Sequence, residues 1–446
     1  MIASLILVLA QAAPASGPLV PHPRNPRYLS DGTGRAVVLA GAHTWPNIVD
    51  MGPSDPPPRF NFTAHLDYLE RYGHNFTRLW TWESSTWDAR PNKREATHVV
   101  FPLPYERRGP GAARDGKLKF DLTRFNAAYF DRLRSRVEAA GKRGIYVSVM
   151  LFEGWAMQHA PGAWETHPFH RDNNVNGIDG DRNGDGKGLE VHELADARVT
   201  AIQEAYVRKV IETVNGFDHV LYEISNENHP ASTEWQYHMI RFVKEAERAM
   251  PKRHLVGMTF QYKGGSNKTL FDGPADWVSP NPDGGWRDDP PVADGAKIVV
   301  SDTDHLWGIG GTSAWAWKTF LRGHHPIFMD PYDGAVLEKR FEPRWEPLLK
   351  ALGEIRRLAE RADLAAMTPR PDLASSKFCL ASPGKEYLVY ASSGAEVTLD
   401  LSGAPGDYVV EWIQDGAYER SSVRGGGPVA LRPRFGGDAV AHLRAR

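Results

Sequence analysis

The stretch His219-Val220-Leu221-Tyr222-Glu223-Ile224 is typical of a short β-strand. Amphipathic helical patterns precede it at residues 195–214 and follow it at residues 232–250. A strand between two helices indicates a parallel sheet, because parallel neighbours need a long crossover connection. The alternation recurs along the chain and predicts eight strands, at residues 37–42, 75–80, 145–151, 219–224, 255–259, 277–279, 297–301 and 326–329. Further helices are predicted at residues 63–72, 126–143, 312–321 and 344–361.

Eight strand and helix units predict an α/β protein with a (β/α)8 barrel, the TIM barrel architecture, over residues 17–368. A doubly wound open sheet is the alternative. The sequence lacks the Gly-rich phosphate loop of nucleotide enzymes that have such a sheet, and this favours the barrel.

The pattern changes after Pro369-Arg370-Pro371, where short alternating strands are separated by turns. The strands are predicted at residues 377–381, 387–391, 396–401, 408–412 and 439–443. They indicate a small C-terminal antiparallel β-sandwich over residues 372–446. The run Phe378-Cys379-Leu380-Ala381, the turn after it and the strand Tyr387-Leu388-Val389-Tyr390 resemble a C-terminal domain often labelled as collagen-binding.

Composition narrows the classes of partner. The chain has 446 residues, of which 41% are hydrophobic and 24% charged, and a formal net charge of −2. Because no long Lys/Arg run offers a footprint for phosphate groups or an anionic membrane, we expect neither a nucleic-acid nor a membrane partner. The substrate is expected to be uncharged or weakly charged. The 14 Trp, 15 Tyr and 18 Phe offer flat faces that suit sugar rings, although core packing accounts for most of them.

The first residues are typical of a secretory signal peptide, predicted at residues 1–16. An apolar run at residues 2–10 is followed by small residues. The run is shorter than the roughly 20 apolar residues of a membrane span. Cys379 is the single cysteine, so no internal disulfide can form. We therefore expect a secreted or periplasmic protein.

The segment Leu221-Tyr222-Glu223-Ile224-Ser225-Asn226-Glu227-Asn228 ends a predicted strand with an Asn-Glu pair. This ending resembles strand four of the clan-A glycoside hydrolases, the cellulase-like (β/α)8 glycosidases, in which Asn precedes the acid/base Glu. The resemblance implies that Glu227 is the catalytic acid/base and that Asn226 binds the sugar 2-hydroxyl. A partly desolvated carboxyl group near another carboxylate has a raised pKa, so it can hold a proton for the leaving oxygen.

A retaining mechanism needs a second carboxylate about 5–5.5 Å from the first, and in the resembled clan it lies at the end of strand seven. Here that strand is followed by Asp302-Thr303-Asp304-His305, and the usual Glu is absent. Asp302 and Asp304 are two residues apart, so both are expected on the same side of an extended strand. Asp302 is preferred because it is nearer the strand end. The shorter Asp side chain leaves an inverting course through a water molecule open.

Other candidates lie at the remaining predicted strand ends, where barrel enzymes bind their substrates. Arg78 resembles the strand-two Arg of the clan, which implies that it steadies the nucleophile carboxylate by a charge-assisted hydrogen bond. The further candidates for substrate binding are His43, Trp45, Trp82, Glu153, Trp155, His305, Asp330 and Tyr332. Core capping or loop packing explains any one of these as well as binding does.

The segment Asp179-Gly180-Asp181-Arg182-Asn183-Gly184-Asp185-Gly186-Lys187-Gly188-Leu189-Glu190 resembles an EF-hand calcium loop. Oxygen donors at positions 1, 3, 5 and 12 and a glycine at position 6 match that motif. The predicted Ca²⁺ ligands are Asp179, Asp181, Asn183, Asp185 through its backbone carbonyl, and Glu190. Lys187 at position 9 and the missing entering helix depart from the motif. The sequence thus predicts one isolated Ca²⁺ site that rigidifies a long loop, with a solvated turn as the alternative.

These observations predict a secreted, monomeric glycoside hydrolase that cleaves O-glycosidic bonds of a poly- or oligosaccharide, with a retaining course. A non-catalytic glycan-binding barrel is the alternative, because the usual strand-seven Glu is absent. A metallopeptidase is disfavoured, since the sequence holds no His-Glu-x-x-His motif. The sugar, the linkage and internal or terminal cleavage stay open, because they depend on the course of long loops.

Overall fold

The computed structural model describes residues 17–88, 97–334, 336, 339–414, 416–434 and 436–446. The predicted signal peptide at residues 1–16 lies outside these ranges. In the described part of the chain, no helix has both the length and the apolar character that crossing a bilayer requires.

Eight parallel strands close into a barrel. They are β1 (Gly41–His43), β2 (Phe76–Leu79), β3 (Tyr146–Glu153), β4 (Val220–Asn226), β5 (Val256–Thr259), β6 (Trp277–Ser279), β7 (Ile298–Asp302) and β8 (His325–Met329). Each strand pairs with the next in sequence, and β8 returns to pair with β1. The TIM barrel predicted from the sequence is confirmed.

Strand β1 is shorter than the sequence predicts. The Leu39 amide donates to Nδ1 of His325 and the Ala40 amide to Oδ1 of Asn75, each at 2.9 Å. Side chains thus accept hydrogen bonds from backbone amides that strand pairing would otherwise use. Regular pairing of β1 therefore begins only at Gly41. A Cβ on Gly41 would lie 2.1 Å from the Phe76 carbonyl oxygen, so glycine is required where the two strands meet.

Helices cover the outside of the barrel. They are α1 (Phe62–Tyr72), α2 (Ala127–Gly141), α3 (Trp155–His159), α4 (Ala197–Val214), α5 (Thr233–Glu247), α6 (Asn267–Asp272), α7 (Thr303–Trp307), α8 (Ser313–Leu321) and α9 (Glu346–Arg361). In α4, for example, Val199, Tyr206, Val207, Val210 and Val214 are buried at helical spacing. The short helices α3, α6 and α7 have too few residues for a periodic signal, and the sequence does not predict them.

Helix α7 corrects one expectation about the second carboxylate. Asp302 and Asp304 do not share one side of an extended strand, because the chain turns into a helix directly after Asp302. The Asp302 side chain caps this helix by accepting a hydrogen bond from the Asp304 amide at 2.9 Å.

Long segments follow the carboxyl ends of β1 and β2. Asp50–Gly52, Thr86–Asp88 and Thr97–Phe101 form a three-stranded sheet, and Tyr105–Ala112 pairs with Leu118–Phe125 as a hairpin. Residues 160–196 follow α3 as a further long loop with two short 3-10 turns, Trp164–Thr166 and Leu189–His192. These segments build the walls around the barrel mouth.

The C-terminal region consists of antiparallel sheets, as predicted. Its strands are β9 (Thr368–Pro369), β10 (Cys379–Ser382), β11 (Glu386–Ala391), β12 (Val397–Asp400), β13 (Gly406–Gln414), β14 (Ala417–Gly425), β15 (Pro428–Leu431) and β16 (Ala439–Ala445). Six of them form one sheet, in the order β9-β10-β11-β16-β13-β14, and β12 pairs with β15. Val389, Val410, Leu399 and Leu431 from both sheets share one buried cluster. Most residues of β14 are exposed, so this strand lacks the apolar alternation that would predict it.

The C-terminal sheets contact the last barrel helix. Arg361 of α9 forms an ion pair with Glu411 of β13 at 2.9 Å, and the Tyr418 hydroxyl donates to Glu354 at 2.9 Å. Phe378 and Ile413 belong to the same buried cluster as the barrel helices. The two parts therefore share a packed boundary on the outside of the barrel.

Candidate active site

A cavity of about 390 Å³ lies at the carboxyl ends of the barrel strands. Asn226 and Glu227 reach it from the end of β4, and Asp304 and His305 from the segment after β7. Residues that are 77 positions apart in sequence therefore bring two carboxyl groups into one cleft. This is the face of a TIM barrel on which active sites are found.

Arg78 organises the polar groups beneath this cavity. Its side chain is 1% exposed, and its Nε and Nη2 donate to the two Glu223 carboxylate oxygens at 2.9 and 2.5 Å. Nη1 donates to Asp302 at 2.8 Å and to Asp304 at 3.3 Å. Nη2 also donates to Asn226 Oδ1 at 2.8 Å. One guanidinium thus fixes the ends of β4 and β7 relative to each other, as a fork of five N–H donors can.

Asp302 is locked inside the barrel and does not line the cavity. Besides Arg78 and the Asp304 amide, it contacts Nε2 of His43 at 2.9 Å. Burial alone would raise the pKa of Asp302, but the neighbouring His43 and Arg78 hold that pKa well below its usual range. A carboxylate in this setting stays ionised and has no free lone pair directed at a substrate.

Asp304 is the carboxyl group that reaches the cavity from β7. Burial and the adjacent Asp302 carboxylate raise the pKa of Asp304 to about 7, against the lowering effect of Arg78. The preference for Asp302 as the second carboxylate is therefore not supported by the geometry. Asp302 is nearer the strand end, but the hydrogen bonds that cap α7 and bind Arg78 keep it out of the cleft.

Glu227 has an unusual backbone conformation and an uncommitted side chain. Its φ is +43°, in the left-handed region that residues other than glycine seldom adopt and that is enriched at functional sites. Gln158 Nε2 supports this turn by donating to the Glu227 carbonyl at 2.7 Å. The Glu227 carboxyl group forms no hydrogen bond with any described residue, and it lines the cavity. Burial, Asp304 and Glu153 raise the pKa of Glu227 well above its usual range, which favours the protonated form of the group.

Asn226 and His305 are held in a chain of hydrogen bonds. His305 Nδ1 lies 2.7 Å from the Ser279 hydroxyl, and its Nε2 lies 3.1 Å from Asn226 Oδ1. Burial lowers the pKa of His305 to about 3, so the ring is neutral. Because Asn226 Oδ1 can only accept, His305 donates through Nε2 and accepts from Ser279. The Asn226 amide nitrogen has no partner among the described residues, and it can donate to a sugar hydroxyl.

Aromatic side chains form much of the cavity wall. Trp45, Trp80 and Trp155 line one part of it, and Phe260, Tyr262 and Trp307 another. The rings of Trp45 and Trp155 are 5.4 Å apart, and the Arg78 Cζ lies 4.7 Å from the Trp80 ring. Flat apolar faces beside hydrogen-bonding groups suit the alternating polar edges and apolar faces of sugar rings.

Several predicted binding residues lie outside the cavity. His43 lies behind Asp302, with its ring stacked on Trp80 at 5.6 Å. Trp82 is buried and stacks on Trp87 at 5.6 Å. Both support the site from behind, and neither can contact a substrate in this arrangement. Of the predicted aromatic residues, Trp45 and Trp155 line the cavity.

Glu153, Asp330 and Tyr332 also have structural contacts in place of a binding role. The two Glu153 oxygens accept hydrogen bonds from the amides of Trp155 and Ala156 at 2.8 Å, which caps α3. Asp330 accepts from the Tyr68 hydroxyl at 2.5 Å and from the Tyr332 amide at 2.8 Å. Burial raises the pKa of Glu153 to about 8. A strand-end acidic residue is thus a poor predictor of substrate contact, because helix caps need the same residue at the same place.

Sequence reasoning also missed functional positions. Glu223 is the bidentate partner of Arg78. The sequence pattern that could have identified it is the alternation of Glu223, Ser225 and Glu227 at the end of the predicted fourth strand. Trp80 ends the predicted second strand. Phe260, Tyr262 and Arg287 lie in loops and Trp307 lies in the short helix α7, where periodicity carries no information about which side chains turn inward.

The predicted calcium loop closes around Asp181. Its carboxylate accepts hydrogen bonds from the amides of Gly184, Asp185 and Gly186 at 3.0, 3.1 and 2.9 Å. The side-chain Nδ2 of Asn183 donates to Glu190 Oε1. Glu190 Oε2 is buried and has no hydrogen-bond partner among the described residues. Asp179 Oδ1 accepts from the Asp181 amide at 3.3 Å. Carboxylate oxygens are the hard donors that Ca²⁺ prefers, but among the described residues those of Asp179, Asp181 and Glu190 do not come together as one ligand group.

The end of this loop connects to the segment that follows β4. Glu193, three residues after Glu190, contacts Nε2 of His229 at 3.0 Å. Asn228 Oδ1 contacts the His229 ring in turn at 2.8 Å. The loop therefore braces the two residues that follow Glu227.

Comparison with known proteins agrees with this architecture. A model of the domain of unknown function DUF6298 matches residues 72–263, a stretch that contains Arg78, Asn226 and Glu227. No curated protein matches the chain. A solved glycoside hydrolase family 5 structure from Bacteroides vulgatus has a TM-score of 0.64 at 14% identity, over 98% of this chain and 95% of that one. A second solved structure, described as a glycoside hydrolase, has a TM-score of 0.59 at 13% identity, over 96% of this chain and 97% of that one. The structural neighbours share the fold over nearly the whole chain.

Proposed function

We propose that this protein is a glycoside hydrolase that cleaves O-glycosidic bonds of an oligo- or polysaccharide. One observation carries the proposal: Glu227 and Asp304, from two different strand ends, line a single aromatic-walled cavity. Glycosidic cleavage requires a pair of carboxyl groups, one that holds a proton for the leaving oxygen and one that is ionised. The glycoside hydrolase structures that share the fold support this choice of chemistry.

In the proposed mechanism Glu227 is the acid/base. Its raised pKa keeps the carboxyl group protonated, and its proton passes to the leaving oxygen as the glycosidic C–O bond breaks. Asp304, in its ionised form, attacks the anomeric carbon and forms a glycosyl ester. A water molecule then attacks that carbon, its proton passes to the Glu227 carboxylate, and Asp304 is released. We favour this retaining course because Asp304 itself lines the cavity.

The remaining polar residues position the pair. Asn226 donates to the sugar 2-hydroxyl, a bond that strengthens as positive charge develops at the anomeric carbon. Arg78 and Asp302 stay paired beneath the substrate. Arg78 limits the rise in the pKa of Asp304, so that a substantial fraction of Asp304 is ionised near neutral pH.

A screen of aryl glycosides and polysaccharides tests this function. We expect the wild type to release reducing sugar from at least one glycan, and Glu227→Gln and Asp304→Asn each to lower the rate about 10²- to 10⁴-fold. Asp172→Asn is the matched control, since Asp172 is an exposed partner of Arg114 outside the cavity. Glycan binding without product from any substrate would contradict hydrolysis and favour the non-catalytic binding barrel.

We further propose that the mature enzyme is exported as a monomer and that Ca²⁺ occupies the Asp181 loop. Export is supported by the signal-like residues 1–16, and N-terminal sequencing of the secreted protein tests it. Calcium is supported by the hard oxygen donors and by the unsatisfied Glu190 Oε2. Collagen binding by residues 372–446 stays a prediction from resemblance.

A further inference from the structure

The cavity contains charges of both signs. Glu227 and Asp304 line it together with the cationic side chains Arg287 and Lys339. Both cations are exposed, and neither forms an ion pair with any acidic residue in the described ranges. A free cationic group in a substrate cleft favours an anionic ligand.

Arg287 is oriented by two contacts. Its Nε donates to the Leu306 carbonyl, and its Cζ lies 5.7 Å from the ring of Trp307. Its two terminal nitrogens donate to no described residue. A guanidinium held at Nε and braced by a ring presents these nitrogens as a fork that matches a carboxylate or a sulfate. Because the fork is already oriented, less side-chain entropy is lost when it binds.

The position of this fork relates it to the reacting bond. Leu306, its anchor, lies two residues after Asp304 and also lines the cavity. A sugar bound at Asp304 therefore has Arg287 on the same wall. A third cation, after Arg287 and Lys339, lies near the cavity, since Lys263 Nζ is 5.6 Å from the ring of Tyr262.

The inner carboxyl groups do not oppose such a ligand strongly. The pKa of Glu227 is raised well above its usual range, so the charged form of that group is disfavoured. The pKa of Asp304 is raised to about 7, so its negative charge is only partly developed there. An anionic sugar thus meets less repulsion than two ionised carboxylates would exert.

We propose that Arg287 binds an anionic substituent of the substrate, a sugar carboxylate or a sulfate ester, and that the enzyme acts on an acidic glycan. This inference rests on the proposed hydrolase function and names its substrate class. It departs from the uncharged substrate expected from composition. A net charge of −2 averages over the whole surface and does not describe the local charge of one cleft.

Glycan pairs that differ only in charge test the inference. Uronate-containing glycans are compared with their methyl esters, and sulfated glycans with their desulfated forms. For the wild type we expect kcat/KM to be at least about 10-fold higher for the acidic member of one pair, with KM rising as salt is added. The pair that shows the preference distinguishes a carboxylate from a sulfate.

Variants connect the preference to the residue. Arg287→Gln is expected to lower the ratio of acidic to neutral kcat/KM about 10- to 100-fold, mainly through KM, and Arg287→Lys to restore part of it. Arg253→Gln, at an exposed arginine whose hydrogen bond is to a backbone carbonyl, is the control and should keep the wild-type ratio. Equal hydrolysis of both members of every pair, or an unchanged ratio in Arg287→Gln, overturns the inference while the hydrolase function stands.

A binding measurement distinguishes failure of the acidic-glycan inference from failure of the proposed hydrolase function. The same pairs are titrated calorimetrically into the Glu227→Gln protein, so that charge preference is read whether or not hydrolysis occurs. Tighter binding of the acidic member of a pair supports the inference if the additional Arg287→Gln substitution abolishes that preference. This result holds even when the proposed hydrolysis fails. Equal affinities, or no binding of any acidic member, overturn it.

Discussion

Arg78 Nη1 lies 2.8 Å from Asp302 Oδ2 in the closed interior of the barrel, and neither residue lines the cavity above them. This pair separates the roles of two aspartates that are only two residues apart. Asp302 binds Arg78 and His43 and caps α7, whereas the Asp304 carboxyl group lines the cavity. The first three of the four predictions that follow depend on this division.

Asp304→Asn is expected to abolish most activity while leaving the protein at least as stable. The pKa of Asp304 is raised, so the folded protein holds this proton more tightly than the unfolded chain does. The resulting stabilisation is present below about pH 4 and is lost as the pH rises through about 7. The variant should therefore gain stability relative to wild type above pH 7. Thermal unfolding at pH 5 and pH 8 measures this, and a lower Tm than wild type at pH 8 would count against it.

Asp302→Asn is expected to destabilise the fold as well as impair activity. The substitution removes one carboxylate from the buried ion-pair network of Arg78 and leaves it Glu223 and Asp304. Breaking a buried ion pair costs about 3–5 kcal/mol. Since the pKa of Asp302 is depressed, its stabilising contribution is present above its ordinary pKa and lost as the pH falls toward the folded value. Urea unfolding at pH 7 checks the cost, with Asp172→Asn as the control. A change below about 1 kcal/mol would show that the pair is not a structural anchor.

The pH dependence of kcat/KM should have its acidic limb near neutral pH. Activity needs Asp304 ionised, and its pKa is about 7, so kcat/KM rises through that pH. Activity also needs Glu227 protonated, so the rate falls at still higher pH. With an aryl glycoside whose leaving group needs no proton, Glu227→Gln should keep the acidic limb and lose the alkaline one. An acidic limb at about pH 4, the ordinary value for Asp, would contradict the assignment.

Calcium is expected to stabilise the protein through the Asp181 loop. A ligand at 100 times its Kd adds about 2.7 kcal/mol of stability, which corresponds to a Tm increase of several degrees. Adding Ca²⁺ to chelator-treated protein should produce that shift, and Glu190→Gln should remove it, because Glu190 Oε2 is the unsatisfied oxygen. Glu165→Gln, in the same long loop, serves as the control. Identical melting curves with Ca²⁺ and with chelator would leave the loop as an ordinary hydrogen-bonded turn.

The barrel strands were predictable because each is a short apolar run between periodic helices. The boundaries of these strands were less predictable. Regular pairing of β1 begins at Gly41 only because His325 and Asn75 take the preceding amides, and such long-range contacts leave no local pattern. Helix α7 is too short to show periodicity, and its absence from the prediction led directly to the preference for Asp302 over Asp304.

The site was predictable where a motif carried it. The Asn226-Glu227 pair and Arg78 lie where the sequence placed them, on strand ends that face each other. Glu153 and Asp330 lie at strand ends too, but a helix cap and a tyrosine use their oxygens. Arg287 lies in a loop and Trp307 in the short helix α7, and the course of both segments depends on the folded barrel, so no local rule could assign them.

The most direct test of the central claim is rescue of a Glu227→Ala variant by azide on an activated aryl glycoside. If Glu227 is the acid/base and Asp304 the nucleophile, the variant forms the glycosyl ester but deglycosylates slowly, and azide restores turnover with a glycosyl azide of the substrate's anomeric configuration as product. Wild-type rates without azide, or a glycosyl azide of inverted configuration, would contradict the assignment.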